Sequence, residues 1–164
     1  MDLPGLNSSA ANDYTATLSA DGRYIAFASD RAGGPGGYNV YLYDRKISAL
    51  VSLPGLNAAS IDNGKYGCTM SPDGRFLAAT RDIGTVVLYD RATNSLVSLT
   101  GMYTTGNNWV CSISSDDRYL AFTTDHRGSG LRDACVYDRK TSSVIVHPTS
   151  DSDPTADAEF PRLN

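Results

Sequence analysis

The sequence predicts an all-β chain of radially stacked four-stranded blades, and three observations carry that expectation. First, three stretches superimpose: LSADGRYIAFASD from Leu18, MSPDGRFLAATRD from Met70 and ISSDDRYLAFTTD from Ile113. Each is followed by a second matching piece, YNVYLYDRKISALVSLPG from Tyr38, TVVLYDRATNSLVSLTG from Thr85 and DACVYDRKTSSVIVHPT from Asp133. Second, Tyr43, Tyr89 and Tyr137 recur 46 and 48 residues apart, close to the period of a propeller blade and too long for a leucine-rich repeat. Third, no segment has the 3.6-residue apolar period of a helix.

Within one period the punctuation reads as four short strands. Strand one ends at the turn Asp21-Gly22, repeated as Asp73-Gly74 and replaced by Asp116-Asp117 in the third copy. Asp-Gly suits a tight hairpin because its residues tolerate positive φ, and Asp117 tolerates it less well than Gly. Strand two, Tyr24 to Ala28, is apolar at both alternating sets, Ile25/Phe27 and Tyr24/Ala26. Such a strand needs cover on both faces, which a sheet stacked between sheets supplies. Strand three carries Val40, Leu42 and Tyr43, and strand four Leu50, Val51 and Leu53. Between them Asp44-Arg45, Asp90-Arg91 and Asp138-Arg139 open a polar turn in which Asp bonds its own following backbone. Strands are expected near 23–29, 38–43, 75–80, 85–90, 118–124 and 133–138.

Composition bounds the function. The 164 residues are one domain's worth, 41% hydrophobic and 20% charged, which excludes disorder and a charged coil. A net charge of −4 argues against a nucleic-acid binder held by phosphate contacts. Apolar runs of a few residues are too short to insert in a membrane as a spanning helix. The start, MDLPGLNSS, lacks the basic and apolar regions of a signal peptide, so a leader is expected to be absent or already removed. Three cysteines, spaced neither as metal ligands nor as a redox pair, leave the compartment open.

The S-x-D-G-R-[YF]-[IL]-A-[FA] and V-x-L-Y-D-R pieces resemble the propeller repeats of the TolB-like family, relatives of WD-type repeats. The resemblance covers nearly the whole chain, three times over. It implies a β-propeller fold, commonly six-bladed in that family, and an extracytoplasmic bacterial location. Function is open, because such repeats occur in binding scaffolds, envelope proteins, and non-catalytic parts of peptidases and lyases.

Residues 1–164 then read as one half-propeller domain, with blades at roughly 13–54, 55–100 and 101–150 and an overhanging inner-strand segment at 151–164. Leu3-Pro4-Gly5-Leu6-Asn7 matches Leu53-Pro54-Gly55-Leu56-Asn57, the exit of a strand four. Glu159–Asn164 aligns with Tyr14–Ser19, a strand one. A lone three-blade arc would leave two apolar sheet faces in water. A homodimer is therefore expected, two chains joining head to tail into a closed ring of six blades.

A residue repeated in all three copies builds the blade, whereas a catalytic residue appears once. Asp44, Asp90 and Asp138, and Arg23, Arg75 and Arg118, are therefore read as structural. Of the unique residues, His126 reads as a solvated loop residue, and neither it nor His147 is tied by motif to a Ser or Cys. Gly33–Gly37 lacks the G-K-[ST] ending of a phosphate loop. Asp151, Asp153 and Asp157 lack the Gly and Glu of a calcium loop, and a solvated linker is the expectation. Cys68 and Cys111 share one place in strand one, where small-residue packing is expected and a disulfide is the alternative.

The suggestive set is aromatic. Tyr14, Tyr66 and Trp109 align at the start of strand one, the strand nearest the axis, and would ring one mouth of the channel. Asp13, Lys65 and Asn108 precede them, a mixture that argues against a shared metal ring. Aromatics beside polar groups are what recognition surfaces use, although rings that only cover the blade ends are the competing reading. The sequence thus points to a non-enzymatic scaffold for a protein or peptide, with no catalytic residue, metal or cofactor expected. The alternatives are a purely structural or engineered self-assembling half-propeller, and the propeller part of a larger hydrolase or lyase.

Overall fold

A computed structural model describes residues 3–32, 37–57, 63–82, 84–126 and 132–146. Among the described residues, twelve strands form three antiparallel sheets in simple meander order. Blade 1 holds β1 (Asp13–Leu18), β2 (Tyr24–Ser29), β3 (Asn39–Asp44) and β4 (Ala49–Val51). Blade 2 holds β5 (Asn63–Met70), β6 (Phe76–Arg81), β7 (Thr85–Asp90) and β8 (Ser95–Val97). Blade 3 holds β9 (Asn108–Ile113), β10 (Tyr119–Thr124), β11 (Asp133–Asp138) and β12 (Ser143–Val146). The expected second and third strands fall where the sequence placed them. Leu53 lies beyond β4 and packs into the junction between blades instead. Among the described residues no helix is long and apolar enough to cross a membrane. The acidic segment 151–157, His147, Gly33–Gly36 and the overhang 159–164 lie outside the described residues.

The double apolar alternation of the second strands is satisfied by stacking. Strand β5 packs on β1, β2 and β3, and β9 packs on β5, β6 and β7. Between blades 1 and 2, Ala26, Val40 and Leu42 meet Cys68, Met70, Leu77 and Tyr89, with Leu56 wedged among them. Between blades 2 and 3, Phe76, Val86 and Leu88 meet Ile113, Leu120, Phe122 and Tyr137, with Met102 as the wedge. Cys68 is a buried free thiol whose pKa burial pushes up to about 12. The Cys111 side chain lies outside the described set, so the disulfide alternative lies there too.

The repeated polar residues close one end of each blade. The Ser19 hydroxyl donates to Asp21 Oδ1 at 2.6 Å, and the Arg23 N–H donates to the same oxygen at 2.9 Å. Ser19 Oγ in turn accepts the Tyr24 N–H at 2.9 Å. The Arg23 guanidinium then reaches across to Asp44, with Nε 3.0 Å from Oδ1 and a terminal nitrogen 2.7 Å from Oδ2. Asp44 Oδ1 also accepts the Lys46 N–H at 2.8 Å, the turn bond expected of Asp-Arg. Arg75–Asp90 and Arg118–Asp138 repeat the clip at 3.0 and 2.7 Å and at 3.0 and 2.6 Å. The turn itself bends between Ser19 and Gly22, whose N–H donates to the Ser19 carbonyl.

Gly22 and Gly74 take φ of +70° and +76°, and Asp117 is forced to +59° at the same place. Asp117 carries a second cost: Oδ1 is buried with no partner, and burial, together with Asp73 nearby, raises its pKa. Restoring the repeat with Asp117→Gly is expected to stabilise the chain by about 1 kcal/mol, a rise in Tm of roughly 2–4 °C. An unchanged or lower Tm would contradict strain at this turn.

Hydrogen bonds from Arg23, Arg75 and Arg118 hold Asp44, Asp90 and Asp138 below the ordinary carboxylate range. A lowered native pKa gives stability that is complete above the unfolded value of about 3.9 and is lost as pH falls through the native one. Thermal unfolding followed across pH is therefore expected to give a level Tm above about pH 4.5 and a steep fall below about pH 4. A Tm independent of pH in the acid range would show that the clips add no net stability.

Candidate functional site

The opposite end of the blades, where the inner strands begin, carries the candidate site. A second polar device sets its geometry. The Asn12 N–H donates to Asp30 Oδ1 at 2.7 Å, and its Nδ2 donates to Oδ2 at 2.9 Å. Asn107 grips Asp125 in the same two-bond manner. Each pair staples the start of an inner strand to the end of the strand beside it, which fixes the residues that follow.

Tyr14 and Trp109 take equivalent positions, opposite Ala28 and Thr123. Tyr14 is 45% exposed and meets Tyr38 edge-to-face at 5.3 Å. The Tyr38 hydroxyl bonds the Asp30 carboxylate; burial, helped by Tyr14 and Asp30, raises the phenol pKa to about 12. Trp109 is half-buried, with the Arg132 guanidinium 4.2 Å above its ring. Asn108 is buried and donates to the Gly84 carbonyl at 2.6 Å, tying blade 3 to blade 2. Tyr66 lies on β5 by its backbone, and its side chain and that of Lys65 are outside the described set.

Asp13 opens β1 beside these rings. Arg31 pairs with it at 3.0 Å, donates to the carbonyls of Gly5 and Leu6, and stacks between Phe27 and Tyr41. Asp13 is thus exposed at the start of β1 and ion-paired to the arginine that holds the segment before it.

His126 differs from the sequence expectation. It is half-buried and lies flat on Tyr103, ring centroids 4.1 Å apart, with Nδ1 3.9 Å from the Asp133 carboxylate. The reason is the Asn107–Asp125 staple, which draws the chain at 125–126 onto the loop carrying Tyr103 and Gly106. Among the described residues no three His, Cys, Asp or Glu side chains gather to hold a metal ion. The arrangement offers the exposed Tyr14 ring and the half-buried Trp109 ring, each braced within its own blade, beside fixed amides and carboxylates.

Sequence reading missed Tyr38, Arg132 and the Asn–Asp staples. Asn12 and Asn107, and Asp30 and Asp125, do share repeat positions; blade 2 breaks the pattern with Gly64, which hid it.

No family model and no curated protein sequence matches the chain significantly. Solved structures do match. TolB from Acinetobacter baumannii superimposes with a TM-score of 0.66 at 20% identity, covering 85% of this chain and 33% of TolB. An oligogalacturonate lyase from Vibrio parahaemolyticus gives 0.63 at 15% identity, covering 86% of this chain and 42% of the lyase. The β-propeller domain of the Trilobed protease from Pyrococcus furiosus gives 0.57 at 15% identity, covering 82% and 41%. The chain thus spans a third to under half of each of these structures. Its fold is that of a TolB-like β-propeller, represented here by three blades.

Proposed function

We propose that the chain is a non-enzymatic propeller scaffold that associates head to tail into a six-bladed ring and binds a protein or peptide at the mouth bearing Tyr14 and Trp109. One comparison supports ring completion above all. Leu18 of blade 1 is 54% exposed, whereas Met70 and Ile113, its counterparts in blades 2 and 3, are each 5% exposed beneath a neighbouring blade. The exposure of Leu18 at a position that is covered in both other blades fits a blade stacked there as well. Two copies supply six blades. The pairing of Tyr14–Leu18 with β2 supports it, over 159–164, as the inner strand at the junction. The exposed Tyr14 ring supports the mouth as the binding surface, since rigid aromatic anchors dominate recognition.

The likeness to an oligogalacturonate lyase and to protease propellers favours a second reading, a propeller part whose chemistry lies in another domain. On either reading the chain alone is expected to leave polygalacturonate and peptide substrates uncleaved; turnover by the purified chain would overturn the scaffold.

Light scattering coupled to size exclusion is expected to give a mass near twice 17.5 kDa. A monodisperse folded monomer at micromolar concentration would contradict the ring. Peptides selected on the wild-type chain from a random library are expected to lose roughly 10-fold or more in affinity for Tyr14→Ala or Trp109→Ala. Unchanged affinity in both variants would move binding away from the mouth.

A further inference from the structure

Each internal junction carries a guanidinium that crosses from one blade to an aromatic ring on the blade before it. Arg91 of blade 2 lies 4.1 Å over the ring of Tyr24 in blade 1, and Arg139 of blade 3 lies 4.1 Å over Phe76 in blade 2. Each ring also carries its own blade's clip arginine, Arg23 on Tyr24 and Arg75 on Phe76, both at 4.7 Å. The crossing arginine is aimed by a hydrogen bond within its own blade. Arg91 donates to the Gly74 carbonyl and Arg139 to that of Asp117. The same cation also sits close enough to the neighbouring clip to help lower the pKa of Asp44 in one case and Asp90 in the other.

The two outer blades carry counterparts of both groups. Tyr119 in blade 3 has its own clip arginine, Arg118, at 4.7 Å. It is half-buried, as are Ala134 and Val136 on the same face. Their blade 1 counterparts Val40 and Leu42 are fully buried beneath blade 2. At the other end of the arc, Arg45 in blade 1 donates to the Gly22 carbonyl at 2.6 Å, the aiming bond made by Arg91 and Arg139. The wedge for that junction is also in place. The Tyr43 hydroxyl donates to the Pro4 carbonyl and Arg31 to that of Leu6, as Tyr137 does to Thr100 and Arg81 to Leu56 in the internal junctions. Leu6 is thereby held where Leu56 stands one blade later, but half-buried where Leu56 is fully buried.

We propose that Tyr119 is the docking site for Arg45 of a second copy of this chain, with Leu6 of that copy wedged beside it, so that the contact seen at both internal junctions recurs at both junctions of the ring. The inference rests on the ring reading above and names the residues that select the partner. Charge fits as well: the incoming guanidinium approaches Asp138 as Arg91 approaches Asp44.

The test is a double-mutant cycle on the dimer dissociation constant, measured by sedimentation equilibrium with the full chain. Arg45→Met keeps the aliphatic stem and Tyr119→Leu keeps apolar bulk, and circular dichroism verifies folding of each. Each substitution acts at both junctions of the ring, so each is expected to raise the dissociation constant roughly 10- to 100-fold, with the double variant no weaker than the weaker single one. Strictly multiplicative effects would overturn the pairing, as would a dimer indifferent to both changes, and either would leave the ring reading standing. A wild-type chain that sediments only as a monomer would overturn both. Should Tyr119→Leu fail to fold, Tyr119→Phe is expected to dimerise as the wild type does and Arg45→Met to remain weaker. Equal affinity of Arg45→Met and wild type then refutes the contact.

Discussion

Everything in this chain follows from sheets that are apolar on both faces. A strand such as Tyr24–Ser29 alternates Ile25 and Phe27 with Tyr24 and Ala26, so neither face can be given to water without loss of burial. A sheet of that kind is stable only between two others, which makes radial stacking the solution and the blade the unit. The wedges Leu56 and Met102 and the rings of Tyr89 and Tyr137 are consequences of the same demand. Each fills the space where neighbouring blades diverge.

Polar residues serve the stacking in a division of labour between the two ends of the blade. At one end the Ser-x-Asp-Gly-Arg turn and its Asp partner form a clip, and the adjacent arginine leans onto the next ring. Charge and packing are combined there: one guanidinium closes the blade and another joins it to its neighbour. At the other end the Asn12–Asp30 and Asn107–Asp125 staples hold the inner strands open as a rim of aromatic and amide groups. The first end is built alike in every copy, and the second varies from copy to copy. The aligned positions hold Tyr14, Tyr66 and Trp109, and Tyr38 in blade 1 stands where blade 3 has Arg132, so this end is not built as a repeated joint.

The repeats made the fold legible. Three copies place twelve strands, their turns and the structural role of the clip residues before any contact is known, because each copy corroborates the others. Partners distant in sequence were not legible. Arg31 reaches Leu6 across 25 residues, and nothing in the local pattern around Asp13 reveals that Arg31 takes its carboxylate. The His126 side chain read as solvated because its cover, Tyr103, stands where the other copies have Asn7 and Asn57, so the repeat gives no sign of a ring there. The LPGLN segment is a third case: its match shows kinship with Leu53–Asn57, and only the bonds from Tyr43 and Arg31 show that it is held as the internal wedge segments are.

The central claim is that the open face of blade 1 is completed by another blade. Hydrogen–deuterium exchange measured across a dilution series tests it directly. Completion by a second copy requires β1 and β2 to be protected as well as β5 and β6 at high concentration. On dilution, protection of β1 and of the blade 3 face around Tyr119 should fall together while β5 and β6 stay unchanged. Exchange in β1 that is fast at every concentration, or slow at every concentration, would contradict it.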